Sequence, residues 1–275
     1  MPKTKLLLLS DAPSGVTGLA RITRDLATRI HTNLSDVFDV ATYGVGGTYS
    51  QSFGFPNYQM HVTGNMVPQE MVRVWNDFAW DEKGIVLAVF NPSWCWWLAD
   101  CEKLPDGDLK GFLRTKPFKK WLYAPIDGDS VDGKLHGDMR DIFLGFDRLL
   151  GYSYYGAGVI QKTVGGIKRP HYLPHGIDTS VFYPRPREEA RKTFVKRIIG
   201  GEGAEIRDDI FLVGIVATNS ARKDWYLAFE VCVELLKRGV KVGLWVHTDS
   251  FQRHWNLIAL AEMFGMTKLT MWSNK

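Results

Sequence analysis

Arg222 and Lys223 are the residues best placed to do chemistry in this chain. They follow the apolar run Ile210–Ala217 and stand in the segment Thr218-Asn219-Ser220-Ala221-Arg222-Lys223-Asp224-Trp225, just before a helical pattern. A loop at the C-terminal end of a buried strand faces the ligand crevice of an open α/β sheet. The helix start adds partial positive charge. Arg grips phosphate oxygens with two parallel hydrogen bonds and Lys adds a compact charge, so together they suit a diphosphate. The same two residues also read as an exposed basic pair. Asp127, in Asp127-Gly128-Asp129, stands in the same way at the end of the run Lys119–Ile126, where ligands bind or turns form. Gly15 and Gly18, in Asp11-Ala12-Pro13-Ser14-Gly15-Val16-Thr17-Gly18, make a turn-rich loop between a strand and a helix. Amides at such a helix start can hold an anion, and a plain tight turn is the other reading. The loop lacks the Gly-Lys-Ser/Thr of a nucleotide-triphosphate loop and the three glycines of a dinucleotide fingerprint.

Other candidates carry less. His247-Thr248-Asp249 ends a strand pattern, but two ligands are too few for a metal site. Trp94, Trp96 and Trp97 follow a strand and could stack on a sugar or a base, although core packing is the commoner use. Cys95, Cys101 and Cys232 fit no zinc spacing and read as reduced thiols, which suggests a cytoplasmic protein. The formal charge of +4 suits an anionic small ligand and does not point to nucleic acid. No run approaches the ~20 apolar residues of a membrane span.

The elements that must position these residues alternate. Strands are expected at Thr4–Ser10, Val37–Tyr43, Ile85–Phe90, Lys119–Ile126, Asp147–Tyr152 and Arg169–Leu173. Between them, Leu19, Ile22, Leu26 and Ile30 mark a helix, as do Met71, Val74, Trp75 and Phe78. Ser93 is a candidate helix cap, and Gly133–Leu144 is expected to be helical with His136 on it. A second alternating series begins with a basic helix at Arg187–Ile199 and a loop at Gly200–Gly203. It continues with strand Ile210–Ala217, a helix to about Arg238, strand Val240–Val246, helix Asn256–Phe264 and a strand from Lys268. Such alternation predicts α/β architecture with parallel sheets and helices on both faces.

Between the two series lies Leu173-Pro174-His175-Gly176-Ile177-Asp178, followed by Phe182 and Pro184. Gly176 permits a sharp bend, and Pro184 and Pro186 forbid regular pairing. The stretch resembles the "N/H-G-hydrophobic-D-x-x-x-F-x-P" linker of glycosyltransferases with two facing Rossmann-like domains, the GT-B fold, particularly the retaining family 4 group. Asp11–Leu26 resembles the first glycine loop of some bacterial and phage members, "A-P-I-D-G-D" resembles an acceptor-side segment, and Asp147–Ile160 resembles a further conserved segment.

The resemblance implies two Rossmann-like domains, the second incomplete: residues 1–175 on the acceptor side, a hinge at 176–186, and a nucleotide-sugar-binding part at 187–275. It implies Gly15 and Gly18 beside the cleft and Arg222 and Lys223 on the donor diphosphate. Many members carry a His where Asp127 stands, so a catalytic role for Asp127 departs from their pattern. The implied reaction moves a sugar from a nucleotide-sugar donor to a glycan, lipid-linked or other hydroxyl acceptor with retention, without metal or cofactor. The later acidic motif of the family is absent, so the chain looks like the first two-thirds of such an enzyme and is expected to be inactive alone. A non-catalytic nucleotide- or glycan-binding module, or another Rossmann-like nucleotide-sugar enzyme, are the alternatives.

Overall fold

The computed structural model describes residues 2–47, 51–63, 66–80, 82–115, 118–199 and 207–274. The glycine stretch 200–203 lies outside the described residues. The chain divides into two compact units, Met1–Ile177 and Asp178–Lys275.

In the first unit β1 (Thr4–Asp11) leads into α1 (Gly18–Asn33), then β2 (Phe38–Val45), β3 (Asn57–Met60), α2 (Met71–Phe78) and β4 (Gly84–Ala88). A short 3-10 turn precedes α3 (Trp96–Ala99), followed by α4 (Asp108–Thr115), β5 (Phe118–Ala124), α5 (Met139–Leu144), β6 (Arg148–Gly151), α6 (Tyr154–Val164) and β7 (His171–Tyr172). The seven strands form one parallel sheet in the order β3-β2-β1-β4-β5-β6-β7.

The Leu6–Leu9 run shows why the strands read as continuous apolar stretches. Successive side chains leave a strand on opposite faces. Leu7 and Leu9 join Met71, Trp75, Phe143 and Ile160 on one face. Leu6 and Leu8 face Ala27 and the α1 stripe Leu19, Ile22, Leu26 and Ile30 on the other. All four leucines are 4% exposed or less, so both faces are buried, as a parallel sheet requires. At about 1.5–3 kcal/mol for each leucine removed from water, this strand anchors the unit.

Two expectations change. Helix α5 starts at Met139 and not at Gly133, because Gly133 and Gly137 take φ of +75° and +71°. Left-handed residues cannot sit inside a right-handed helix, and His136 instead pairs with Asp132 at 3.3 Å in the preceding turn. The turn before α3 is capped by Asn91, whose Oδ1 accepts from the Ser93 N–H at 3.1 Å; Ser93 is a donor there and not the cap.

The second unit holds α7 (Arg187–Phe194), which relaxes into a wider π-turn at Val195–Ile199, then β8 (Phe211–Val216), α8 (Trp225–Lys237), β9 (Val242–Thr248), α9 (Leu257–Met263) and β10 (Thr270–Asn274). Its strands are parallel in the order β10-β9-β8. Trp225, Phe229 and Cys232 of α8 and Leu257 and Ala261 of α9 pack on Val242, Leu244 and Val246.

Candidate functional site

In the first unit the strand order reverses between β1 and β4, the position where open parallel sheets bind ligands at their C-terminal ends. Ser10 donates to the Val89 carbonyl at 2.9 Å and ties these two strands together just before their loops diverge. The Gly15 N–H donates to the Ala12 carbonyl at 2.8 Å, closing the turn. Arg24 of α1 donates to the Pro13 carbonyl at 3.0 Å. Thr17 caps α1 by accepting from the Ala20 N–H at 3.0 Å, and its own hydroxyl donates to the Asp11 carboxylate. That carboxylate places negative charge beside the helix start.

Gly18 is the first residue of α1, and a Cβ added there would meet nothing within 4 Å. Gly15 is confined, since a Cβ there would lie 3.0 Å from the Ala20 Cβ and 3.1 Å from the Ala12 carbonyl oxygen, and Gly44 and Gly47 are confined more tightly. A Cβ on Gly44 would lie 2.4 Å from the Ala12 Cα, and one on Gly47 would lie 2.4 Å from the Ser14 hydroxyl, with φ already at +86°. Sequence reading missed both, because the partner that requires them lies on the neighbouring strand's loop.

Asp127 is exposed, three residues past the end of β5. Beside it, Tyr152 at the end of β6 stacks on His175, with ring centroids 5.1 Å apart, and Tyr123 meets the same imidazole edge-on at 5.4 Å. The Tyr123 hydroxyl donates to the Leu173 carbonyl. Burial, helped by Tyr152, pushes the Tyr123 phenol up to about 12. Burial and then the charge of Asp127 raise Tyr152; burial, the hydrogen bond that the Tyr155 hydroxyl donates to Asp129 and the charges of Asp129 and Asp127 raise Tyr155. These phenols are therefore neutral hydrogen-bond donors at neutral pH. The corner offers aromatic faces with acceptor carboxylates next to them, a combination that suits polyhydroxyl ligands. The tryptophans divide: Trp97 is 3% exposed and donates its indole N–H to the Trp94 carbonyl, Trp96 packs against the core, and Trp94 is 42% exposed.

In the second unit Arg222 and Lys223 lie on a single 3-10 turn, Ala221–Lys223, between the end of β8 and the start of α8. The turn is closed by Lys223 N–H to the Ser220 carbonyl at 3.1 Å and Asp224 N–H to the Ala221 carbonyl at 3.0 Å. Asp224 then takes a left-handed conformation, φ 43° and ψ 61°, and caps α8 by accepting from the Leu227 N–H at 3.3 Å. Arg222 is exposed and Lys223 half-buried. Among the described residues neither side chain has a hydrogen-bond or ion-pair partner.

The start of this loop is held to the loop after β9. The Asn219 N–H donates to Asp249 Oδ1 at 2.8 Å. The Asn219 side chain donates to the Ser250 carbonyl at 3.0 Å and the Trp255 carbonyl at 2.8 Å, and accepts from the Trp255 N–H at 3.0 Å. Asp249 also accepts from Arg253 at 2.7 Å and from the Thr248 hydroxyl at 3.1 Å. The Asn219 backbone N–H, followed by Arg253 and Thr248, holds its carboxyl at about 2. His247 turns to Ser273, 2.9 Å from its Nδ1. His247 and Asp249 thus serve different partners. Nothing local in the sequence marks Asn219 and Asp249 as partners, because their contact depends on the pairing of β8 with β9.

No protein-family model matches the chain, and no curated protein matches it. Solved structures do. A glycosyltransferase from Rickettsia africae is similar at a TM-score of 0.59 and 15% identity over 100% of this chain and 69% of its own. The apo lipopolysaccharide outer core galactosyltransferase WaaB is similar at 0.52 and 13%, over 98% of this chain and 68% of its own. A trehalose-6-phosphate structure from E. coli, bound with UDP-2-fluoro glucose, is similar at 0.57 and 10%, over 99% and 74%. The fold is α/β and is shared with the GT-B glycosyltransferases. Among the described residues no helix is long and apolar enough to cross a membrane.

Proposed function

We propose that this chain is a glycosyltransferase of the retaining, family 4-like kind, which takes its sugar from a nucleotide-sugar donor. Arg222 and Lys223 hold the donor diphosphate and stabilise the charge that develops as it departs, an interaction fixed before reaction begins. Gly18, where an added Cβ would meet nothing within 4 Å, leaves room for donor or acceptor at the first switch point, and Gly15 closes the turn beside it. Asp127, with Tyr152 and Tyr155 near it, receives a hydroxyl acceptor. The observation that carries the reading is the pair of cations on a closed turn at the C-terminal end of β8, without a carboxylate partner among the described residues. A solved structure of the same fold that carries UDP-2-fluoro glucose supports the donor class.

The test is calorimetric titration with UDP, GDP and ADP. One of them is expected to bind. Two charge-assisted contacts at about 1.5 kcal/mol each imply a weakening of roughly 100-fold in Arg222→Ala/Lys223→Ala. Binding that the double variant retains would remove the diphosphate role.

A further inference from the structure

The two ends of the cationic turn are fastened differently from its middle. Asn219, 1% exposed, bonds through its backbone and both side-chain polar atoms to the loop 249–255. At the other end Asp224 caps α8. Between them lie only Ser220 to Lys223, whose backbone bonds close on each other. Every polar atom of the Asn219 side chain is engaged, and its contacts cross from the end of β8 to the loop after β9. A buried, satisfied network of this kind fixes one conformation.

We propose that Asn219 and Asp249 are positioning residues of the anion site: they latch the β8–α8 loop so that Arg222 and Lys223 are presented in one backbone arrangement before any ligand arrives. The proposal rests on the donor-site reading above. A ligand that binds a prearranged loop does not have to order it, and the ordering cost of even one residue is worth about tenfold in affinity. Asp249 contributes an acceptor oxygen to the Asn219 N–H. An amide oxygen at the same place can accept that bond, and a methyl group cannot. The carboxylate's low pKa keeps the acceptor ionised throughout the neutral range.

The experiment uses the whole chain and UDP, GDP and ADP as probes, at a temperature far below unfolding. Asp249→Ala and Asn219→Ala are expected to weaken the nucleotide that binds by about tenfold or more. Asp249→Asn is expected to recover most of that loss. Amide hydrogen exchange at 220–224 is expected to accelerate in both alanine variants and not in Asp249→Asn. Asp249→Ala also serves if Asn219→Ala does not fold, since the Asp249 side chain is 27% exposed and Asn219 only 1%. Alanine variants that melt earlier but bind the nucleotide as the parent does would overturn the proposal and leave the donor-site reading standing. If the parent binds none of the three nucleotides, the donor-site reading falls. Exchange then decides the latch by itself: unchanged exchange at 220–224 in Asp249→Ala overturns it.

Discussion

Tyr152 and His175 stack with their ring planes 19° from parallel, and Tyr123 closes on the imidazole at 85°. His175 is thereby tied to the ends of β5 and β6 in the first unit. Its burial lowers the imidazole pKa below 6.5. Between that lowered value and 6.5 the unfolded chain binds more protons than the folded one. The stabilisation is therefore complete above pH 6.5 and is lost as pH falls through the folded pKa. Urea midpoints measured across this window should fall more in the parent than in His175→Phe, which keeps an aromatic ring without a titrating group. Proton NMR should report the lowered imidazole pKa directly; a value at or above 6.5 would contradict the packing.

Gly18 and Gly44 should respond in opposite ways to alanine. At Gly18 the new methyl group enters open space on the first residue of α1, and φ is not left-handed. Loss of unfolded-state freedom then stabilises the chain by about 0.4–1 kcal/mol. At Gly44 the methyl group would meet the Ala12 backbone at 2.4 Å, and the cost is about 1–3 kcal/mol. Urea denaturation separates the two. Gly18→Ala is also a functional probe. If it folds at least as well as the parent but loses a bound ligand, then ligand fills the space that the methyl group occupies. Unchanged binding would take Gly18 out of the proposed site.

The sheets were legible as apolar runs: Leu6–Leu9 and Ile85–Phe90 are buried on both faces, whereas Ile210–Ala217, expected to be a buried strand, keeps Phe211 and Val216 exposed. Strand ends followed by Asp127 or by Arg222 and Lys223 could be read for the same reason. What could not be read depends on neighbours across strands. Gly44 is constrained by Ala12, which reaches it only because β1 and β2 pair in a particular register. Asn219 and Asp249 are thirty residues apart and meet because β8 and β9 pair with Val216 opposite His247. The false start of α5 had a local cause: Gly133 and Gly137 were visible, but their left-handed φ was not.

Asp249 should make acid stability depend on the latch. The Asn219 N–H, and then Arg253 and Thr248, hold its carboxyl at about 2, below the ordinary aspartate value of 3.8. The unfolded chain binds the proton first as pH falls. This contribution is present above about pH 4 and is lost progressively towards pH 2. Acid unfolding followed by circular dichroism should show a shallower pH dependence in Asp249→Asn than in the parent between those values. Identical slopes would mean that the carboxylate gains nothing from its partners on folding.

Arg222 and Lys223 should be separable from the fold. They are adjacent like charges, and among the described residues no carboxylate answers either of them. Removing a charge that makes no contact leaves no buried group unsatisfied, so Arg222→Ala/Lys223→Ala should change stability by no more than about 0.5 kcal/mol in either direction. The Lys223 stem is half-buried and gives the main reason for any small loss. Urea midpoint and slope should both match the parent, since neither the exposed surface nor the latch at Asn219 changes. A double variant that lost several kcal/mol would show that the pair supports the turn itself. Stability close to that of the parent, with nucleotide binding reduced roughly 100-fold, would mean that these two cations are held for a ligand and not for the fold.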